Sequence, residues 1–260
     1  MAHNEFEVLQ RLVSLLDDER SDFFIHFDAK VKTLPEITVE KGRLFVLKNR
    51  VDVRWGTFSQ IETELVLMEA AQAKGPYGHY HILSGTHLPL KPVDELMRFY
   101  DEHPEESVAR FWPKDEADAD FKLRRYHFPL KHFKSGRPLR RYVCQRTWQL
   151  IIKIQKILGI RHLKDCVFTK TDQWLSVTDS ACRYLLDHKK EIHSKYRWSF
   201  CPDEYFVASE LLKQPSRFKM MDCANLLFVV FDNDSPKQIP VLQWDELRKT
   251  DFYWARKFTV

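Results

Sequence analysis

The sequence predicts an α/β protein with helices packed on a sheet, and three observations carry that prediction. Two short apolar runs, "SDFFIHFD" and "YGHYHILSG", end on Asp28 or break at Gly85, as buried strands do. Each follows a stretch with apolar residues at helical spacing, "EFEVLQRLVSLL" and "SQIETELVLMEAAQA". With 260 residues, 44% of them hydrophobic and 13% aromatic, the chain can also bury a large core. A single domain over residues 1–260 is expected, roughly 1–100 binding a ligand through the first strands and roughly 101–260 completing the site.

Taken in order, residues 5–16 form a helix and "SDFFIHFDAK" a buried strand; "RLFVLKNRVDVRW" holds a second strand region. The helix "SQIETELVLMEAAQA" and the strand in "YGHYHILSG" follow. The middle, "RFWPKDEADADFKLRRYHFPLKHFKSGRPLRRY", mixes charges, aromatics and prolines without a period and reads as a long surface excursion. It leads into "QRTWQLIIKIQKILGI", an amphipathic helix with Lys153 and Lys156 among its apolar positions. That pattern suits a core helix with a solvated basic edge, and also a helix lying on an anionic membrane. "DQWLSVTDSACRYLL", "WSFCPDEYFVASELL", the strand-like "NLLFVVF" and "DFYWARKFTV" complete the chain. Open α/β sheets bind ligands beyond the carboxyl ends of their strands, where Asp28, Gly56, Ser84 and Gly85 fall.

Composition removes several classes. Lys and Arg number 41 against 37 acids, so a net charge of +4 gives no general case for a polyanion partner. Five widely spaced cysteines without a CxxC pair point to reduced thiols in the cytoplasm. No apolar run approaches the ~20 residues of a membrane span, and no signal-peptide pattern opens the chain. GxSxG, GxxxxGK[ST] and HExxH are all missing.

The chemistry-bearing candidates each have a structural alternative. Asp203 and Glu204 stand behind Pro202, where they can start a helix or move a proton. Asp232, Asn233 and Asp234 after "LLFVVF" resemble a DxD metal site and also make a good turn, and Asp118 with Asp120 is a weaker DxD. His79 and His81 alternate as strand residues. Gly56 and Gly85 permit either a tight turn or close approach of a ligand.

"IHFDAK", "VRWGTFSQIETELVLMEAA", "YHILSGTHLPLK", "QWLSVTDSACRYLL", "FCPDEYFVASELL" and "WARKF" stand in the order found in the core-2/I-branching β-1,6-N-acetylglucosaminyltransferases and their peptide xylosyltransferase relatives. The chain resembles a compact bacterial-type member of that family over nearly its whole length. The resemblance implies a GT-A-like, Rossmann-like mixed sheet flanked by helices. Whether the sheet keeps its first inner strand is open, because Met1 stands directly ahead of Ala2, His3 and Asn4, where the family has an apolar strand. It further implies inverting transfer of GlcNAc or xylose from a UDP-sugar to a glycan or other hydroxyl acceptor, with no divalent metal and no other cofactor. Glu204 is implied as the general base, with Pro202 and Asp203 starting its helix. His26, Asp28, Arg54, Trp55, Gly56, Ser84 and Gly85 match blocks that line the nucleotide, and Trp174, Ser176 and Asp203 the sugar and acceptor. Lys257, with Arg256 beside it, is implied as the countercharge to the leaving diphosphate; a tie to Asp245 or Glu246 is the alternative use of that lysine. "NLLFVVF" lacks the second phosphate-binding basic residue of animal members, and His87 stands where an acid is common. A peripheral contact with the inner face of the membrane fits the amphipathic helix. Two rival readings remain: a catalytically impaired relative that binds nucleotide or glycan, and a nucleic-acid-binding module on Lys122 to Arg146.

Overall fold

The structure, a computed structural model, describes residues 1–232 and 235–260. Helix α1 (Phe6–Leu15) forms as its spacing requires, burying Val8, Leu9, Leu12 and Val13 on one side. Strand β1 (Asp22–Ile25) follows and pairs in parallel with β2 (Arg43–Val46). Helix α2 (Ser59–Gln72) buries Ile61, Leu65, Met68 and Ala71, and leads to β3 (His79–His81), β4 (Leu88–Pro89) and α3 (Val93–Asp101). Strand β5 (Glu106–Ala109) precedes α4 (Glu116–Leu123), whose first N–H groups are capped by Asp115, and α5 (Pro138–Ile157). Strand β6 (Ser176–Thr178) runs straight into α6 (Asp179–Asp187), capped by Thr178, and then α7 (Lys189–Tyr196). A 3-10 turn at Pro202–Glu204, α8 (Phe206–Leu211) and β7 (Lys219–Asp222) lead into a tail of short pieces. These are β8 (Leu227–Phe228), β9 (Phe231–Asp232), β10 (Ser235–Pro236), β11 (Ile239–Pro240), α9 (Trp244–Leu247), β12 (Trp254–Ala255) and β13 (Phe258–Thr259).

The largest sheet has the order β3-β6-β5-β7, with β5 and β7 parallel and β6 antiparallel to both its neighbours. Strands β4, β12 and β8 make a second sheet that brings the C-terminal tail against the body. This is the mixed α/β architecture expected, consistent with a GT-A-like fold.

Ala2 and Phe27 form an isolated parallel bridge rather than a strand. Ala2 lies beside Phe27, donating to the His26 carbonyl (2.9 Å) and accepting from the Asp28 N–H (2.9 Å), while Met1 accepts from the Gly85 N–H (2.8 Å). Met1 and Ala2 thus join the end of β1 to the segment after β3. Alongside β1 and β3 themselves, their inner edges have no strand partner among the described residues. A cavity of about 500 Å³ lies there, lined by groups such as Leu9, Phe24, Met68, Tyr80 and Tyr100.

Three sequence expectations change. The middle segment is not all irregular, since α4 forms within it; only Ala119 and Leu123 of that helix are buried, too few to show a period. Helix α5 starts at Pro138 rather than Gln145, because proline suits a first helical turn. In "NLLFVVF" only Leu227 and Phe228 join the sheet with β12, and β9 starts at Phe231. The five cysteines are free, and no helix among the described residues is long and apolar enough to cross a membrane.

Candidate active site

Pro202, Asp203 and Glu204 do not open α8. They form a separate 3-10 turn, broken from α8 at Tyr205, and neither carboxylate caps a helix. Cys201 enters the turn with φ 47°, an uncommon conformation for a side-chain-bearing residue. Its N–H donates to the Gly56 carbonyl (3.0 Å), which fixes the turn against the loop ahead of α2. Gly56 is required there: its φ is +73°, and a Cβ would stand 2.8 Å from the Phe200 ring. The close approach it permits is therefore to Phe200. At Gly85 a Cβ would meet Ala2 at 3.1 Å, so that glycine seats Ala2.

The turn sends its two carboxylates into different surroundings. Glu204 remains one third exposed and is ion-paired with Lys122 at 2.8 Å and Lys170 at 3.7 Å. Asp118 bridges the same lysines, at 2.7 Å from Lys170 and 3.3 Å from Lys122, and accepts from the Tyr205 hydroxyl. Burial opposes the charge on Lys122, but Glu204 and Asp118 outweigh it and raise its pKa. Lys122 is thus a firm cation that holds Glu204 in place.

Asp203 is buried. One of its oxygens accepts from Gln60 (3.0 Å) and the other has no partner among the described residues. Burial, reinforced by the charge of Glu204, pushes its pKa up to about 7. Behind it, Gln173 donates to Glu64 (2.8 Å), whose pKa burial also raises.

A third group adjoins these. The Arg256 guanidinium lies 4.7 Å over the Trp174 ring, in the field of Asp172 and Asp203. Burial lowers its pKa to about 10, so it stays a cation. Asp172 is itself held by Arg110 at 2.7 Å and by the Trp112 indole N–H at 2.9 Å. The backbone ties this strip to the turn, with Thr171 N–H donating to the Glu204 carbonyl at 2.9 Å. Lys257 is half-buried, makes no ion pair among the described residues, and has a pKa lowered by burial and by Arg256 beside it.

The other anticipated residues fall into two sets. Asp28 accepts from Lys30 (2.6 Å), which also reaches Asp52 and the Val53 carbonyl, and Arg54 pairs with Asp52 at 2.5 Å. Trp55, 40% exposed, carries Lys134 3.6 Å above its ring. Asp28 and Lys257 both act on His3, which places the tail lysine near the end of β1. His26, Ser84 and Ser176, by contrast, are engaged internally. His26 accepts from Val51 N–H (2.7 Å), and burial lowers its pKa to about 4. The Ser84 hydroxyl meets Thr86 and His87, and that of Ser176 meets His81 and Tyr100 inside the sheet. His79 bonds the Glu106 carbonyl, as a strand histidine would. Asp120 pairs with Arg125 and Arg161, away from the partners of Asp118. Asp232 ends β9, while Asn233 and Asp234 lie outside the described residues. Lys122, Lys170, Asp172 and Arg110 were missed because their contacts join distant segments; the one local signal was the four-residue spacing of Asp118 and Lys122.

The elevated pKa of Asp203 has a measurable consequence. Above the usual carboxylate range, near 3.9, the unfolded state has lost its proton, while the native state keeps it up to about 7. Stability therefore falls as pH rises between about 4 and 7. Asp203→Asn removes that slope, so relative to wild type the variant should gain stability from pH 5 to pH 8, by about 3 kcal/mol at most. Urea unfolding at the two pH values checks this; a difference that does not change with pH contradicts it.

Residues 1–252 match the protein family described as Core-2/I-Branching enzyme. No curated protein matches the chain.

Proposed function

Because the chain belongs to the core-2/I-branching enzyme family, a glycosyltransferase family using a nucleotide-sugar donor and a glycan acceptor, we propose that it transfers GlcNAc or xylose from a UDP-sugar to a hydroxyl acceptor with inversion. The observation that carries this reading is the Glu204 carboxylate. It is accessible and fixed by Lys122, and its neighbour Asp203 lies in the field of Arg256. Glu204 takes the acceptor hydroxyl proton as the oxygen bonds to the anomeric carbon. The bond from that carbon to the diphosphate breaks, and its electron pair leaves with UDP. Arg256 and Lys257 stabilise the charge that appears on the phosphates, the role a metal ion plays in other transferases.

The test is donor binding followed by turnover. A UDP-sugar at about a hundred times its Kd should stabilise the protein by about 2.7 kcal/mol, or roughly 5 °C or more in Tm. Release of UDP from that donor should then follow. Binding without transfer to any hydroxyl acceptor or water would favour the impaired-relative reading. Transfer should also persist in excess EDTA, and Asp232→Asn should cost less than about threefold in rate. Activity that EDTA abolishes and manganese restores would overturn the metal-free mechanism.

A further inference from the structure

Helix α5 carries a second face that the proposed transfer does not use. Its inner side packs through the buried Cys144, Ile152 and Gln155, with the Trp148 indole N–H donating to His127 at 3.0 Å. On the opposite side Leu139, Val143, Leu150, Ile154 and Ile157 are 74%, 54%, 58%, 43% and 72% exposed. Their spacing of four, seven, four and three residues sets them in one stripe along the helix. Arg140, Arg146 and Lys153, all exposed, flank that stripe.

The surrounding charge is strongly segregated. Between Arg124 and Lys164 there are twelve Lys and Arg and not one Asp or Glu, which leaves 29 basic against 37 acidic residues elsewhere. A solvated helix face is normally polar, so five aliphatic side chains in a row within a basic field need a partner that is apolar and anionic together. Nucleic acid supplies the charge but is gripped by aromatic stacking and base edges rather than an aliphatic ridge. A second copy supplies apolar surface but brings the same positive field against itself.

We propose that α5 docks on the surface of an anionic lipid bilayer, its aliphatic ridge entering the headgroup and acyl boundary and its flanking Arg and Lys meeting lipid phosphates. On the inner side of the helix, Trp148 packs 5.8 Å from Phe200, four residues ahead of Glu204. The bilayer thus lies on the far side of α5 from Phe200, with the helix diameter of roughly 10 Å between them. Docking does not depend on the transfer reading, and its test reads binding rather than turnover.

The test is sedimentation of the full chain with vesicles of phosphatidylcholine alone, and with vesicles containing roughly one-third phosphatidylglycerol, at about 0.1 M salt. The protein should sediment with the anionic vesicles only. Arg140→Glu, Arg146→Glu and Lys153→Glu together should weaken partition by at least roughly a hundredfold, from about fivefold per cation lost. Leu150→Ser with Ile154→Ser should weaken it by roughly tenfold while keeping its salt dependence. All are exposed positions, and an unchanged circular dichroism spectrum and Tm establishes that each variant folds. No binding to anionic vesicles, equal binding to neutral ones, or indifference to both sets of substitutions overturns the proposal. A dimer that Leu150→Ser dissociates, or single-stranded RNA bound more tightly than vesicles, assigns the face to another occupant and overturns it equally.

Discussion

Glu204→Gln is expected to lower transfer by at least roughly a hundredfold while leaving UDP affinity within about twofold, as loss of a positioned base does. Glutamine keeps the shape of the side chain and can still accept from Lys122, so the turn should hold. What it loses is the capacity to take a proton. The ion pair with Lys122 sharpens the experiment, because removing one partner of a half-buried pair strands the other. Here Asp118 remains 3.3 Å from Lys122, so the lysine is not left alone and the Tm should change little. A large fall in Tm would assign Glu204 a structural part in that cluster. Turnover equal to wild type would remove it as the base. The companion Glu204→Asp draws the carboxylate back by one methylene; partial activity there, with glutamine inactive, separates basicity from packing.

Which parts of this arrangement the sequence reveals depends on how local each signal is. Helices α1 and α2 are legible because their buried faces repeat at helical spacing, and β1 because an apolar run stops at polar groups. Glu204 is singled out by Pro202, although the turn it forms is 3-10 and separate from α8, a distinction set by the positive φ of Cys201 and its bond to Gly56. Lys122 lies 82 residues from Glu204, in a run of charges with no period, and only the folded chain brings it within 2.8 Å. Ser176 shows the opposite failure. The resemblance places it with Trp174 beside the sugar and acceptor, but β6 begins at Ser176, whose hydroxyl meets His81 and Tyr100 inside the sheet, while Trp174 lies in irregular chain under Arg256.

The other large effect is expected at the C-terminal cations, which the structure separates. Arg256 is committed to the fold: its N–H donates to the Phe228 carbonyl, its guanidinium covers Trp174, and Asp172 and Asp203 balance its charge. Arg256→Ala should therefore lower the Tm as well as the rate, since it uncovers the Trp174 ring and takes a balancing cation from buried Asp203, while Asp172 keeps Arg110. Lys257 is differently placed. Glu246 is engaged by Lys249 at 2.9 Å, and no ion pair ties Lys257 to it or to Asp245. Burial and the neighbouring Arg256 both work against its ammonium, and a phosphate would relieve both. Lys257→Ala should weaken UDP binding and slow transfer by roughly ten- to a thousandfold with little change in Tm, and Lys257→Arg should recover part of each. Uridine, which has no phosphate, should bind the alanine variant as tightly as wild type, so that the loss grows with each phosphate from uridine to UMP to UDP. Isothermal titration along that series reads the effect directly. Equal UDP affinity in Lys257→Ala would move the phosphate countercharge onto Arg256 or a bound cation. An equal loss for uridine would mean that the lysine shapes the pocket rather than meeting the diphosphate.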